Sequence, residues 1–181
     1  MRRAVAVALL ALLVSAPTRA RAAEAEATHP SASVPKNVVL ADLGLHVIAL
    51  GYQRTLSDHV ALSVSGGLYD PWTVTDKVGD IRGAILRLRP YFFFTDHAPR
   101  GVWISPFAQG AVVRGTSQGE ARTGGAFALG AAAGYAFLFG DVVHLSLGVG
   151  GQLHYARVGT DAPPSFYTAG IHVDGTVGFA F

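Results

Sequence analysis

The sequence predicts an all-β fold, a closed up-and-down antiparallel transmembrane β-barrel of about eight strands. Three observations predict it. Apolar residues make up 50% of the chain and charged residues only 14%, yet no uninterrupted apolar run reaches the ~20 residues that a membrane-spanning helix needs. The apolar residues recur instead at alternate positions, as they do in strands with two different faces. The chain also ends on such an alternating segment, with Phe181 as its last residue.

The C-terminal segment 166–181 has the clearest alternation. Its apolar face has aliphatic residues in the middle and aromatic residues at the ends, which is typical of a strand whose outer side meets lipid. A single strand would expose unpaired backbone groups to hydrocarbon, so the rest of the chain must close a barrel around it. One face holds Tyr167, Ala169, Ile171, Val173, Gly175, Val177, Phe179 and Phe181, and the other holds Thr168, His172, Asp174 and Thr176.

The N-terminus has the pattern of a signal peptide. Arg2 and Arg3 precede a short apolar run, and small residues then lead to an A-x-A site that ends at Ala22. We expect cleavage after Ala22, because the apolar run is too short to remain as an anchor helix. The segment that follows is small, polar and Pro-containing, which indicates disorder. The chain thus divides into a signal peptide (1–22), a disordered periplasmic tail (23–35) and an outer-membrane β-barrel (36–181).

Cysteine content and charge exclude several classes of protein. The chain has no Cys, and its formal net charge is +2. Without Cys there is neither a disulfide framework nor the residue that a lipoprotein acylates. Part of the small positive charge belongs to the leader, so the charge gives no argument for a nucleic-acid partner.

Turn signals divide the barrel region into eight strands. A barrel with both ends in the periplasm needs an even number of strands, and this chain has room for about eight tilted spans of ~10 residues. The segment 37–56 could be one bent strand, but we split it at Gly44 because seven strands would place the final Phe on the wrong side. The predicted strands span 37–44, 46–56, 59–69, 79–94, 101–114, 123–139, 143–157 and 166–181.

The predicted connections alternate between short and long, as they do in transmembrane barrels. Short periplasmic turns are expected at Ser57-Asp58, at 95–100 and at Gly140-Asp141. The last of these extends to Val142 as a three-residue hairpin, since Phe139 and Val143 share a face. The longer loops on the opposite side are 70–78, 115–122 and 158–165, which are rich in turn-forming residues.

Side-chain alternation assigns a lipid face and an interior face to most strands. The fifth strand is ambiguous, because Trp103 and Phe107 disagree with Val102, Ile104 and Val112, and Pro106 could mark a bulge or an irregular register there. The predicted outward residues elsewhere include Ile48, Leu50, Tyr52, Val60, Leu62, Val64, Phe127, Leu129, Tyr135, Phe137, Phe139, Val143, Leu145, Leu147, Val149, Leu153 and Tyr155. The predicted inward residues include Ala126, Ala128, Gly130, Ala132, Gly134, Ser146 and Gln152.

From Asn37 onward the chain resembles the small eight-stranded bacterial outer-membrane β-barrels, of the OmpX-like and OmpA transmembrane-domain type. The resemblance rests on the architecture, the leader and the terminal Phe181. Val177, Phe179 and Phe181, apolar residues at every second position up to the end, resemble the C-terminal signal by which such barrels are recognised for insertion. The family implies a fold and a membrane but no particular activity.

The interior face predicts a lumen polar network. A charge inside a small barrel is costly unless it is paired, so we expect Arg87 and Arg89 to meet Asp174, Asp42 or other hydrogen-bonding groups. The network either replaces a hydrophobic core or lines a path for protons or small ions, and an eight-stranded barrel filled by its own side chains favours the core. Its predicted members are Asp42, Gln53, Arg87, Arg89, His144, His154, His172 and Asp174.

His144 and Ser146 resemble the His-x-Ser motif of the outer-membrane lipid A deacylases, in which a histidine base activates a serine. Such chemistry needs both groups on one strand face, oriented by a carboxylate. The spacing of two satisfies the first condition. However, alternation places both residues inside the barrel and near its periplasmic end, and no acidic residue stands at a matching place. We therefore assign no catalytic residues.

The sequence predicts no metal site and no cofactor. Its seven His are scattered along the chain and Cys is absent, so the close spacing of a tetrahedral site is missing. His46, His59 and His97 lie near strand ends or turns, where we expect them to be interfacial or solvated. The glycines fall inside strands and precede no helix, so the geometry of a nucleotide-binding loop is also absent.

The function predicted is a non-enzymatic outer-membrane barrel with a structural or surface-interaction role. The alternatives are a lipid A-modifying enzyme, a narrow pore or a small-ligand-binding barrel. A soluble lipocalin-like barrel would carry its apolar residues inside, and the sixth strand, with Gly and Ala opposite Phe, Leu and Tyr, argues against that arrangement. The partners expected are outer-membrane lipid and lipopolysaccharide, and the barrel-assembly machinery during insertion, with no nucleic acid. We expect a monomer.

Overall fold

The barrel comprises eight antiparallel strands in sequence order. The structure, a computed structural model, describes residues 34–45, 47–69, 81–117, 120–158 and 166–181, with the backbone alone at 116–117 and 166–168. The strands are β1 (Asn37–Gly44), β2 (Val47–Ser57), β3 (Val60–Tyr69), β4 (Arg82–Phe93), β5 (Gly101–Ser117), β6 (Glu120–Phe139), β7 (Val143–Val158) and β8 (Phe166–Ala180). Each strand pairs with the next, and β1 pairs with β8 to close the barrel. The predicted fold class and the number of strands are confirmed.

The seam between β1 and β8 is closed at the very end of the chain. Asn37 and Phe181 exchange backbone hydrogen bonds, with N–O distances of 3.1 and 2.9 Å. The Tyr52 hydroxyl donates to Asn37 Oδ1 at 2.6 Å from the neighbouring strand β2. Closure satisfies the backbone groups that an open edge would expose, which is the condition for a sheet in hydrocarbon.

The split of the first segment at Gly44 is correct. Gly44 pairs with Val47, so β1 and β2 form a tight hairpin. His46, inside that hairpin, lies outside the described residues, as do the predicted signal peptide, nearly all of the predicted tail, and the predicted loop 70–78.

The β6–β7 hairpin has the three-residue connection that the sequence predicts. Phe139 pairs with Val143, and Gly140 and Asp141 both have a φ of 58°. Glycine takes this left-handed conformation without steric cost, and aspartate tolerates it better than most residues do. The Val142 N–H closes the turn by donating to the Phe139 carbonyl at 3.2 Å.

Two other connections differ from the prediction. The β2–β3 turn consists of Asp58 and His59 rather than Ser57 and Asp58, because an irregularity in the ladder between Thr55 and Ser57 carries β2 one residue further. The predicted loop 115–122 is mostly strand, since the β5–β6 ladder continues up to the pair Ser117 and Glu120. This hairpin is therefore longer, and its connection shorter, than the turn-forming residues indicate.

The fifth strand keeps a regular alternation. Trp103 and Phe107 are buried in the interior, whereas Val102, Ile104 and Val112 are exposed on the outside. The expectation of a bulge or an irregular register at Pro106 is wrong. The β4–β5 register is the same on both sides of this proline, and only the ladder pairs between Leu88–Ala108 and Phe92–Ile104 are missing. That register places Pro106 opposite Pro90, and neither residue has an N–H to donate.

The remaining strands show the predicted alternation. Of the predicted outward side chains that the structure describes, most are exposed and Val60, Leu62, Leu145 and Tyr155 are half-buried, while the inward ones are buried or half-buried. The described residues include no helix of a length and hydropathy that would cross a bilayer.

Candidate functional site: the barrel interior

The barrel interior contains all eight residues predicted for the lumen polar network. None of them is more than 5% exposed. Alternation along strands β1, β2, β4, β7 and β8 turns these side chains inward, and the short radius of an eight-stranded barrel brings opposite walls within reach of an arginine side chain.

Arg87 and Asp42 form a hydrogen-bonded ion pair between β4 and β1. The Arg87 Nη1 atom donates to Asp42 Oδ2 at 2.9 Å and to Oδ1 at 3.1 Å. Arg87 Nε donates to Gln109 Oε1 at 3.0 Å, and the Ser65 hydroxyl donates to Asp42 Oδ2 at 2.9 Å. Both charges are thus compensated and hydrogen-bonded, which a buried pair needs to offset its desolvation cost.

Arg89 and Asp174 form a second ion pair, between opposite strands of the barrel. Arg89 Nη1 lies 2.6 Å from Asp174 Oδ1, although the angle at this contact is outside hydrogen-bond geometry. Three strands separate β4 from β8 in either direction, so the pair crosses the full width of the lumen. His172 Nε2 lies 3.8 Å from the same carboxylate oxygen.

Ser105 links this second pair to the interrupted β4–β5 ladder. Arg89 Nε donates to Ser105 Oγ at 2.9 Å, and the Ser105 hydroxyl donates to the Pro90 carbonyl at 2.6 Å. The carbonyl would otherwise lack a donor, because Pro106 stands opposite it. The hydroxyl therefore replaces a missing ladder hydrogen bond and orients the guanidinium.

Three aromatic rings surround the two guanidinium groups. Arg89 Cζ lies 4.8 Å from the ring centroid of Tyr91, 5.1 Å from that of Trp103 and 5.6 Å from that of Phe107. Arg87 Cζ lies 5.5 Å from the Phe107 centroid. Guanidinium groups bind aromatic faces electrostatically, and more strongly where water is excluded.

Next to Trp103, the neighbouring strands β6 and β7 present glycine to the interior. A Cβ added at Gly148 would lie 2.4 Å from Trp103 Cη2, and one at Gly134 would lie 2.6 Å from Cζ2. These two glycines leave the space that the indole ring fills. Large side chains from β4 and β5 thus fill this part of the interior, and small residues on β6 and β7 leave room for them.

His144 and Ser146 both point inward and are each 1% exposed. The Ser146 hydroxyl forms no hydrogen bond to the imidazole. Facing the interior, the two side chains do not reach the outer surface where acyl chains of a lipid would lie. The arrangement does not form the base and nucleophile pair that the deacylase chemistry needs.

The remaining lumen members are spread along the barrel wall. His172 packs against Phe107 with ring centroids 4.4 Å apart, and Gln53 and His154 are buried on β2 and β7. His59 and His97 stack on one another at the end that carries the chain termini, with centroids 6.0 Å apart. Among the described residues, no group of three or more His, Cys, Asp or Glu is arranged to hold a metal ion.

Sequence reasoning missed several residues of this interior. Ser65, Gln109 and Ser105 bond the charged groups directly, and Tyr91 and Trp103 pack against Arg89. The sequence contains a signal for Trp103. Alternation on the fifth strand places Trp103 on the face opposite Val102 and Ile104, which conflicts with the assumption that every large apolar side chain faces lipid. Where the neighbouring strands present glycine, that conflict indicates a large residue that faces inward.

Comparison with known proteins identifies a family and a fold. Residues 7–162 match the family described as "Protein of unknown function (DUF3575)", and the chain belongs to that family. The structure is similar to the N-terminal β-barrel domain of OprF from Pseudomonas aeruginosa, with a TM-score of 0.50 and 16% identity over 81% of this chain and 96% of that one. It is also similar to Neisserial surface protein A (NspA), with a TM-score of 0.45 and 13% identity over 81% and 95% of the two chains.

No curated protein matches the sequence. The fold is that of the small eight-stranded outer-membrane barrels.

Proposed function

We propose that this member of the DUF3575 family is an integral β-barrel of the bacterial outer membrane with a structural or surface-interaction role and no catalytic activity. The observation that carries the proposal is the outer face of the barrel. It is apolar around the whole circumference, whereas the charged residues at the middle of the strands are inside.

The exposed apolar side chains come from every strand of the barrel. Leu50 is 73% exposed and Ile171 is 70% exposed. A soluble monomer rarely exposes contiguous apolar patches beyond a few hundred Å². A lipid bilayer accounts for this surface, because there the hydrocarbon tails are its solvent.

Outward aromatic residues gather at the end that carries the chain termini. They supply the rings that sit at a membrane interface in transmembrane barrels. Because an exported chain reaches the outer membrane from the periplasm, we assign this end to the periplasmic side and the other end to the cell surface. The residues are Tyr52, Phe92, Phe94, Tyr135, Phe137, Phe139, Phe179 and Phe181.

The filled interior favours a structural role over conduction. The two ion pairs cross the lumen, and Trp103 and Phe107 occupy the space beside them. A barrel of eight strands is narrow enough for its own side chains to close it. We therefore expect no steady ion conductance.

The experiment is cell fractionation combined with electrophoresis of boiled and unboiled samples. We expect the protein in the outer-membrane fraction, resistant to urea extraction, with a mobility shift on boiling because a closed barrel resists unfolding by detergent alone. A protein that stays in the periplasmic fraction and remains soluble without detergent would contradict the proposal. Stable single-channel currents in planar bilayers would show that the barrel conducts ions, and a pore would then replace the structural role as the proposed function.

We further propose Val177, Phe179 and Phe181 as the insertion signal. The proposal is supported by their shared outward orientation at the C-terminal end of the barrel. Deleting Phe181 should lower the assembled, protease-resistant fraction without changing export to the periplasm. Phe94→Ala is the matched control, since it removes an outward ring at the same end without altering the terminal strand. Normal assembly of the truncated chain would show that the signal lies elsewhere.

A further inference from the structure

Two turns meet at the end of the barrel that carries the chain termini. The first is the β2–β3 turn, Asp58-His59, and the second is the β4–β5 connection, 94–100. The Ala98 N–H donates to the Asp58 carbonyl at 2.7 Å, and the Phe93 N–H donates to the His59 carbonyl at 2.8 Å. These hydrogen bonds fix the backbones of the two turns against each other.

The β4–β5 connection is also anchored to the interior of the barrel. Ala98 is 2% exposed and belongs to the same apolar cluster as Trp103, and Pro99 beside it is buried. Within the connection, the Arg100 N–H donates to the His97 carbonyl at 3.0 Å. The His97 side chain is exposed, but it therefore projects from a backbone whose position is fixed.

His59 and His97 bring one imidazole from each turn to the same place. Their ring centroids are 6.0 Å apart and their ring planes differ by 25°. Both side chains are exposed, so each ring can rotate about its Cβ–Cγ bond at the surface. The two residues are far apart in the sequence, and only the pairing of the strands brings them together.

The spacing of the two rings fits a shared transition-metal ion. With metal–nitrogen bonds of about 2.0–2.1 Å, two imidazoles on one ion have their ring centroids about 5–6 Å apart. Divalent zinc and copper bind imidazole nitrogen readily, whereas calcium and magnesium prefer oxygen ligands. Because the backbones are already fixed, an ion would have to order only two side chains when it binds.

The charged side chains of the two turns favour a cation. Asp58, Asp96 and Arg100 supply two carboxylates and one guanidinium, which gives a net formal charge of −1. Arg100 Nη2 lies 3.5 Å from Asp96 Oδ1, and both side chains are partly exposed. Since the described residues form no group of three or more His, Cys, Asp or Glu that could hold a metal ion, water must complete the coordination.

We propose that His59 and His97 bind one divalent transition-metal ion, of the zinc or copper type, and that this ion fastens the β4–β5 connection to the β2–β3 turn. One nitrogen of each imidazole coordinates the ion, and Asp58 and Asp96 act through their charge. The inference goes beyond the proposed function and does not depend on it, because the two turns lie at one end of the barrel whatever medium surrounds its wall.

Isothermal titration calorimetry of the full chain in detergent, purified without a polyhistidine tag, measures the binding. The probes are Zn²⁺ and, as ions that prefer oxygen, Ca²⁺ and Mg²⁺. We expect one Zn²⁺ per chain and no binding of the other two ions at the same concentration. Absence of Zn²⁺ binding, or binding of Ca²⁺ as strong as that of Zn²⁺, would overturn the proposal. A chain that fractionates with the outer membrane but does not bind Zn²⁺ refutes this site alone.

Two single variants each remove one imidazole. His59→Gln and His97→Gln should each weaken Zn²⁺ binding at least tenfold, because even changes to groups that only support metal ligands typically cost about 10–100-fold. Both side chains are exposed, so neither change disturbs the interior. His46→Gln, between β1 and β2, is the matched control and should bind Zn²⁺ as the parent does. Equal loss in all three variants, or loss in none, would show that the ion binds elsewhere.

A further variant separates the histidines from the carboxylates. Asp58→Asn combined with Asp96→Asn removes both negative charges and keeps both imidazoles. It should weaken Zn²⁺ binding less than either histidine variant does. A larger loss than in the histidine variants would mean that the carboxylates hold the ion, and the proposal would be wrong.

Hydrogen exchange followed by mass spectrometry tests whether the ion fastens the two turns. Saturating Zn²⁺ should slow exchange in peptides that contain Phe93 and Ala98, whose N–H groups bond to the β2–β3 turn. An ion that binds only the closed arrangement lowers the population of the open one. Exchange around Val142 in the β6–β7 turn should not change, nor should exchange at any of these peptides in His97→Gln. Zinc binding that leaves exchange in the parent unaltered would contradict the fastening.

Discussion

The inward and outward faces of the same strands follow different rules. On β7, Leu147 is 53% exposed while Ser146, one residue earlier, is 1% exposed. At the proposed membrane location, outward side chains would contact a uniform solvent of hydrocarbon, so each would contribute mainly according to its own transfer free energy. Inward side chains contact specific partners, such as the carboxylate opposite Arg89 or the ring beside Gly148. The outer face should therefore tolerate any apolar residue, whereas the inner face should tolerate few changes.

The largest effect should come from breaking an ion pair in the interior. Asp174→Asn leaves the Arg89 charge buried without its carboxylate, and removal of one partner of such a pair typically costs about 3–5 kcal/mol. The free energy of unfolding, measured with urea in lipid vesicles, should fall by about this amount. Asp141→Asn in the exposed β6–β7 turn is the control, and it should change stability by less than about 0.5 kcal/mol.

A smaller loss is expected when a charge is placed on the outer face. Leu147→Arg should cost about 2–4 kcal/mol if the residue lies near the bilayer midplane, and Val143→Arg at the end of the same strand should cost about 0–1 kcal/mol. The same urea titration measures both. Equal costs at the two positions would contradict the orientation of the barrel in the membrane.

The smallest of the three effects concerns crowding. Gly148→Ala adds one methyl group against Trp103, and overpacking of this kind costs about 1–3 kcal/mol. Gly151→Ala adds the same group on the outward face of β7, where the closest atom to the new Cβ is the Gly170 carbonyl oxygen at 4.0 Å. It should be nearly neutral. If the two variants were equally stable, the indole ring would not fill the space that these glycines leave.

Much of the fold could be predicted from the sequence because alternation and turns are local properties. The shared face of Phe139 and Val143 predicts the Gly140–Val142 hairpin, and alternation alone places Arg87 and Arg89 inside the barrel. The lengths of the hairpins were harder to predict. Gly115 and its neighbours have turn-forming composition, but pairing between β5 and β6 continues through them.

The partners inside the barrel could not be predicted in the same way. Arg87 meets Asp42 and Arg89 meets Asp174 across the lumen, between strands that are not neighbours. Such contacts depend on the tilt and stagger of the strands, which no single segment specifies. The role of Ser105 could not be predicted from its own segment either, because it depends on two prolines, Pro90 and Pro106, that lie opposite each other on different strands.

The central claim is that opposed charges close the interior, and a double-mutant cycle on Arg89 and Asp174 tests it most directly. Urea unfolding in lipid vesicles would be measured for Arg89→Gln, Asp174→Asn and the double variant. The control cycle combines Asp174→Asn with Arg54→Gln on the outer face, and it should be additive within about 0.5 kcal/mol. We predict that the Arg89 and Asp174 double variant is more stable than additivity implies, by about 0.5–3 kcal/mol, because removing both charges leaves none unpaired. Strict additivity in both cycles would contradict the account.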